Sequence, residues 1–134
     1  MDKLEYIPGD LVKFATNTYT IVNFEENFLH NKICYALIST NSTKTAFVAD
    51  RDILPIPLTP DILEKNGWRT QNRWYYYLDV AEGFISYIGI DFKHKSNKGH
   101  LYVEVDGNNM VEIQYCHELQ HFLFGLGINH EMEV

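Results

Sequence analysis

The sequence predicts an α+β protein: a short-stranded β module, then a helix, an antiparallel meander and a C-terminal helix. Three observations predict it. Nine Tyr, eight Phe and two Trp make the chain rich in the aromatic residues that favour strands. Several segments alternate apolar and polar residues at period two, with turn residues between them. Two segments break that pattern with helical punctuation or a helical apolar stripe. At 134 residues, with 46% apolar content, the chain suits one compact unit that folds without metal or disulfide staples.

The first strand opens at Pro8-Gly9-Asp10 and runs through Leu11-Val12-Lys13-Phe14. Thr16-Asn17-Thr18 reads as a turn, and Tyr19 to Phe24 alternates as a strand should. Glu25-Glu26-Asn27 reads as a break. From Lys32 to Thr40, Ile33, Tyr35 and Leu37 share one face; Asn41-Ser42-Thr43 is a turn, and Ala46 to Ala49 a fourth strand. So many short strands with tight turns are what a small barrel requires, because closure removes exposed edges. The Gly9-Asp10-Leu11-Val12 opening, the strand lengths and the closing Asp52-Ile53-Leu54-Pro55-Ile56 resemble SH3-like barrels. The resemblance implies an SH3-like β module over residues 1–56, a fold with so many roles that it names none.

Residues 57–134 form the second expected module, packed with the first as one compact unit. Pro55-Ile56-Pro57-Leu58 is an extended connector, since each proline disfavours helix in its predecessor. Thr59 is placed to cap a helix, Pro60 to begin it, Asp61 to meet its positive end, and Gly67 to stop it. Ile62 and Leu63 face the core, with Trp68 just beyond. Strands follow at Arg73 to Val80, Gly83 to Phe92, Leu101 to Asp106 and Val111 to Tyr115. In the last two, Leu101, Val103, Val105, Val111 and Ile113 alternate with polar residues, the mark of a sheet covered on one side. Ser96-Asn97-Lys98-Gly99 and Asp106-Gly107-Asn108-Asn109 are the turns. The final helix spans about Cys116 to Leu126, with Leu119, Phe122, Leu123 and Leu126 as a stripe that packs on the sheet.

The formal net charge is −7, and beyond Lys98 there are six acids and no Lys or Arg. Nucleic-acid binding needs a basic face, so this balance argues against it. Lys93, Lys95 and Lys98 read as a solvated hairpin tip. Asp50, Arg51 and Asp52 read as loop charges. Cys34 and Cys116 lack CxxC spacing and read as buried thiols of a reducing, cytoplasmic compartment, although spacing alone leaves a disulfide open. Met1 to Glu5 carry no signal-peptide core, and no stretch approaches the roughly 18 apolar residues of a membrane span.

One signature suggests chemistry. In His117-Glu118-Leu119-Gln120-His121, a helix would put both imidazoles on one face to hold Zn²⁺, with Glu118 as general base on its bound water. With six His and ten Glu in 134 residues, chance alone yields the pattern in roughly 2% of such chains. A third ligand is also needed, and only 13 residues follow His121. The metzincin extension would need Gly at 124 and His at 127, where this chain has Phe124 and Gly127. His130, Glu131 and Glu133 lie in a tail expected to fray, and a ligand from His30, His94 or His100 stays open. Helical geometry places His117 and His121 opposite the Leu119 stripe, on the outer face or against the N-terminal strands. Hydrogen-bonded or solvated histidines are therefore the expectation, with no metal and no cofactor.

The segments Ile56-Pro57-Leu58-Thr59 through Leu63-Glu64-Lys65-Asn66-Gly67-Trp68, and Tyr115 through His121, resemble a group of short proteins of Bacteroidales-type gut bacteria and their phages or mobile elements. That group has I-P-L-T-x-x-x-L-x-x-x-G-F and Y-V-H-x-L-Q-N patterns. The shared positions here are Tyr115, His117, Leu119 and Gln120, whereas Glu118 and His121 depart from the pattern. The resemblance implies a structural strand-to-helix junction and carries no assigned activity. Trp74-Tyr75-Tyr76-Tyr77, with Trp68, could stack on a ligand, but such a run more often buries alternate rings of a strand. Cys116 beside His117 gives little support to a thiol nucleophile. Catalytic and binding residues are thus unassigned. The expectation is a non-enzymatic accessory protein acting through an unidentified protein partner; the alternative is a minimal zinc metallopeptidase built on residues 117–121.

Overall fold

The computed structural model describes residues 6–15, 17–27, 32–39, 45–80 and 83–134. It is an α+β structure of two antiparallel sheets and two short helices. The chain divides into two compact units, Met1–Ile56 with Tyr115–Met132, and Pro57–Gln114 with Glu133–Val134. The C-terminal helix thus belongs with the N-terminal strands, whereas its apolar stripe had suggested the later meander.

In the first unit, β1 (Leu11–Phe14), β2 (Asn17–Asn27), β3 (Lys32–Ser39) and β4 (Thr45–Ala49) form one sheet in chain order. The Pro8-Gly9 pair opens it with a type II turn: the Asp10 amide donates to the Ile7 carbonyl at 3.1 Å, and Gly9 takes φ 96°. β2 runs through the expected break at Glu25-Glu26-Asn27, because backbone pairing of Glu25 with Cys34 and Asn27 with Lys32 extends the hairpin despite its polar residues. The Asn41–Thr43 turn lies outside the described residues. A 3-10 turn at Asp50–Asp52 precedes Leu54, whose N–H and C=O each bond Lys13 at 2.8 Å. The expected closing strand is thus a single bridge on the free side of β1. Tyr6, Val12, Ile21, Tyr35, Leu37, Val48 and Ile53 form the core.

In the second unit, Thr59 caps α1 (Pro60–Lys65) by accepting from the Ile62 amide at 3.3 Å. Gly67, at φ 84°, ends it: the Trp68 amide reaches back to the Leu63 carbonyl at 3.0 Å and that of Gly67 to Glu64 at 3.2 Å. Leu63 and Trp68 are buried, as the punctuation predicts, while Ile62 is only half-buried. The meander then runs β5 (Arg69–Thr70), β6 (Tyr75–Asp79), β7 (Tyr87–Asp91), β8 (Leu101–Val105) and β9 (Asn108–Ile113), in that order across the sheet. The two-residue β5 was missed because a strand so short has no period to read. Tyr76, Ile88, Ile90, Leu101 and Val103 are buried, and their strand neighbours face outward. Edge strand β9 buries Ile113 and leaves Val111 exposed, next to a register shift opposite Val103/Glu104.

Candidate functional site

α2 (Cys116–Gly125) begins at Tyr115, whose extended backbone makes it the N-cap. Glu118 stands at the third helical position, where a carboxylate can bend back to the helix start. It does so: its Oε1 accepts from the Tyr115 amide at 2.9 Å. The carboxylate that the peptidase reading needs as a general base is thus engaged at the helix terminus.

The buried face of α2 is Cys116, His117, Leu119, Gln120 and Leu123. The expected stripe holds only at Leu119 and Leu123; Phe122 is half-buried and Leu126 is 39% exposed. Hydropathy misplaced the face because its centre is polar. Gln120, fully buried, accepts from the Leu11 amide at 2.9 Å and donates to the Gly9 carbonyl at 2.9 Å and the His130 carbonyl at 3.0 Å. One amide side chain thus joins the start of β1, the helix and the chain beyond it. That last segment is held, where fraying was expected: the Ile128 amide bonds the Leu123 carbonyl at 2.9 Å, and the His130 ring packs on Phe124 at 5.0 Å. In the second unit, the Glu133 amide donates to Asn66 Oδ1 at 2.8 Å.

His117 and His121 lie against the N-terminal strands, one of the two expected placements. His117 is 3% exposed, stacked on Tyr115 at 5.9 Å and tilted against Tyr6 at 4.8 Å. Burial holds its imidazole below the usual histidine pKa, outweighing the carboxylates of Asp10 and Glu118. His121 is half-buried, and its Nε2 stands 2.6 Å from Oδ2 of Asp10, a carboxylate with no exposed surface. The same oxygen accepts from the Ile7 amide at 2.8 Å, and Oδ1 has no partner among the described residues. The Asp10–His121 contact was not foreseen. Only the position of Asp10 after a Pro-Gly turn hinted that its side chain would have a local role.

These positions decide what the cluster can hold. Asp10 supplies a carboxylate beside the two imidazoles, the feature a zinc site lacked in the sequence. However, ligand atoms around tetrahedral zinc stand about 3.3 Å apart, and a contact of 2.6 Å holds a proton instead. Among the described residues, no group of three His, Cys, Asp or Glu is placed to hold a metal ion. Of the other histidines considered as ligands, His30 lies outside the described residues, while His94 and His100 belong to the second unit. There Nδ1 of His94 is 2.9 Å from Asp91, and the His100 amide donates to Ser96. Neither cysteine is in a disulfide; burial pushes the Cys116 thiol up to about 12, which leaves it un-ionised and unsuited to nucleophilic attack.

The chain matches no protein-family model, no curated protein and no solved structure. Function must therefore be argued from these geometries.

The aromatic run divides as strand periodicity requires. Trp68 and Tyr76 are in the core, whereas Tyr75 and Tyr77 point outward from β6. With Gln71, Asn72, Asp79 and Tyr87 they line a pocket of about 320 Å³. The Lys93 ammonium lies 5.3 Å from the centre of the Trp74 ring. No helix among the described residues is long and apolar enough to cross a membrane.

Proposed function

We propose that this chain is a non-enzymatic accessory protein that acts by contact with a protein partner, and that its first unit is an SH3-like small barrel. The observation that carries the reading is the engagement of Glu118, Gln120 and His121 within the fold. Glu118 caps its own helix, Gln120 bonds three backbone groups and His121 pairs with Asp10. A cluster used in this way joins elements of the fold and holds Glu118, the general base of the peptidase reading, at its helix terminus. The barrel reading is supported by the meander order of β1 to β4, the 3-10 turn and the Lys13–Leu54 bridge on the far side of β1. The resemblance to short phage and mobile-element proteins fits the same role, since its shared residues Leu119 and Gln120 are fully buried and His117 nearly so. Two cysteines outside any disulfide suit a reducing cytoplasm.

Metal analysis of protein purified without chelator tests the reading. It expects zinc far below one ion per chain, with Glu118→Gln and His121→Asn lowering thermal stability only. Stoichiometric zinc that is lost in His117→Ala and His121→Ala would overturn it. Peptide cleavage that disappears in Glu118→Gln would establish the peptidase instead.

A further inference from the structure

The outward face of the second sheet is built around a residue with no side chain. Across β6, β7 and β8, Tyr77 pairs with Gly89 and Gly89 with Glu104. The ring of Tyr75 leans into the space above Gly89, so that a methyl group there would collide with its hydroxyl. Burial, together with the neighbouring Glu104 and Tyr87, raises the pKa of that hydroxyl. The Tyr75 ring is one wall of the pocket, with Tyr77, Tyr87 and Asp79 around the remainder.

The pocket offers aromatic faces and a carboxylate. Tyrosine faces carry negative π-density, Asp79 stands at the margin and Glu104 lies behind the Tyr75 hydroxyl. The chain as a whole carries a net charge of −7, which favours the approach of cationic groups. The face already shows its preference with its own residue: the Arg69 guanidinium lies 5.8 Å from the centre of the Tyr77 ring and 3.2 Å from Asp79. Both partners of that ion pair are well exposed, so the pairing is weak and an incoming cation can compete for it. A planar guanidinium stacks on aromatic rings and pairs with carboxylates better than an ammonium does. At about 320 Å³ the pocket has room for such a side chain.

We infer that the Tyr75–Tyr77–Tyr87 pocket, with Asp79 at its margin, is the docking site for an arginine side chain presented by the protein partner. This inference rests on the interaction reading above and assigns it a surface.

The test is an NMR titration of the full chain with N-acetyl-arginine amide and, in parallel, N-acetyl-citrulline amide, which keeps the shape and lacks the charge. Saturable shifts centred on the amides of Tyr77, Asp79 and Gly89 are expected with arginine and not with citrulline. Tyr77→Ala and Asp79→Asn should each weaken the arginine response about 5-fold. Asp79 is exposed, so its replacement keeps the test valid if the tyrosine variant fails to fold. Equal binding of citrulline would overturn the inference, as would arginine shifts that are unsaturable or unchanged in Asp79→Asn. The two readings fail separately. A zinc-free protein with an unresponsive pocket keeps the interaction role and loses this site, whereas stoichiometric zinc removes the role whatever the pocket binds.

Discussion

His117 shows how a titratable residue can be part of a core. Its ring sits between Tyr115 and Tyr6, where burial disfavours the imidazolium. The folded pKa lies below the unfolded value of about 6.5, so the unfolded chain takes up the proton first as pH falls. Stability from this group is complete above that value and declines below it until the folded pKa is reached. The slope is at most about 1.4 kcal/mol per pH unit. His117→Phe preserves a ring in the stack and removes the proton. Urea midpoints at several pH values from neutral downward should therefore depend less on pH in the variant than in the parent, and identical dependence would exclude His117 as the source. The Asp10–His121 contact is a different case, a half-buried imidazole set on a fully buried carboxylate. It was not legible because its partners are over a hundred residues apart in sequence, and hydropathy is silent about such pairs.

At the scale of elements, both helices follow one grammar at their ends, with a glycine of positive φ just after the last turn: Gly67 at 84° after α1 and Gly127 at 74° after α2. Both glycines bear their sequence signal openly, although only Gly67 was read as a stop. The face that α2 buries was less legible. Leu119 and Leu123 are inward, as a hydrophobic stripe predicts, yet Gln120 and His117 are inward too. A buried glutamine is stable only when its groups are paired, and Gln120 makes three hydrogen bonds to backbone. Gln120→Leu would keep the volume and strand the Leu11 amide and the Gly9 and His130 carbonyls. Each buried orphan costs on the order of 1–3 kcal/mol, so a loss of about 3 kcal/mol in denaturant unfolding is expected. A loss within about 0.5 kcal/mol, the scatter of surface substitutions, would show that the clasp is dispensable. The strands were legible where they alternate, as in Leu101–Val105, and illegible where pairing alone sustains them, as at Glu25–Asn27 and Arg69–Thr70.

At the scale of the molecule, the first unit is made from two segments distant in sequence, Met1–Ile56 and Tyr115–Met132. Its sheet therefore shares a unit with a helix that lies far later in the sequence. A chain ending at Gln114 would lack the Leu119, Leu123 and Gln120 side chains that α2 contributes. Hydrogen exchange of the truncated chain should show lost protection at the amides of Leu11 and Ile21, which in the whole protein bond Gln120 and the Asp10 carbonyl. Protection that survives truncation would mean that the strands close without the helix.

The sequence by itself determined the α+β class, the strand-rich first fifty residues, the capped α1 and the alternation of the second sheet. Each depends on neighbours within a few residues, where propensity and period act. It also supplied the HELQH pattern, whose meaning is non-local. Only the tertiary structure decided that α2 joins the N-terminal strands, that Gln120 is its central anchor and that Glu118 and His121 are engaged by Tyr115 and Asp10. It also decided that Tyr75 crosses Gly89 toward Glu104 to shape a pocket. The reason is physical: a polar side chain in a core is placed by the hydrogen-bond partner it finds, and that partner lies elsewhere in the chain.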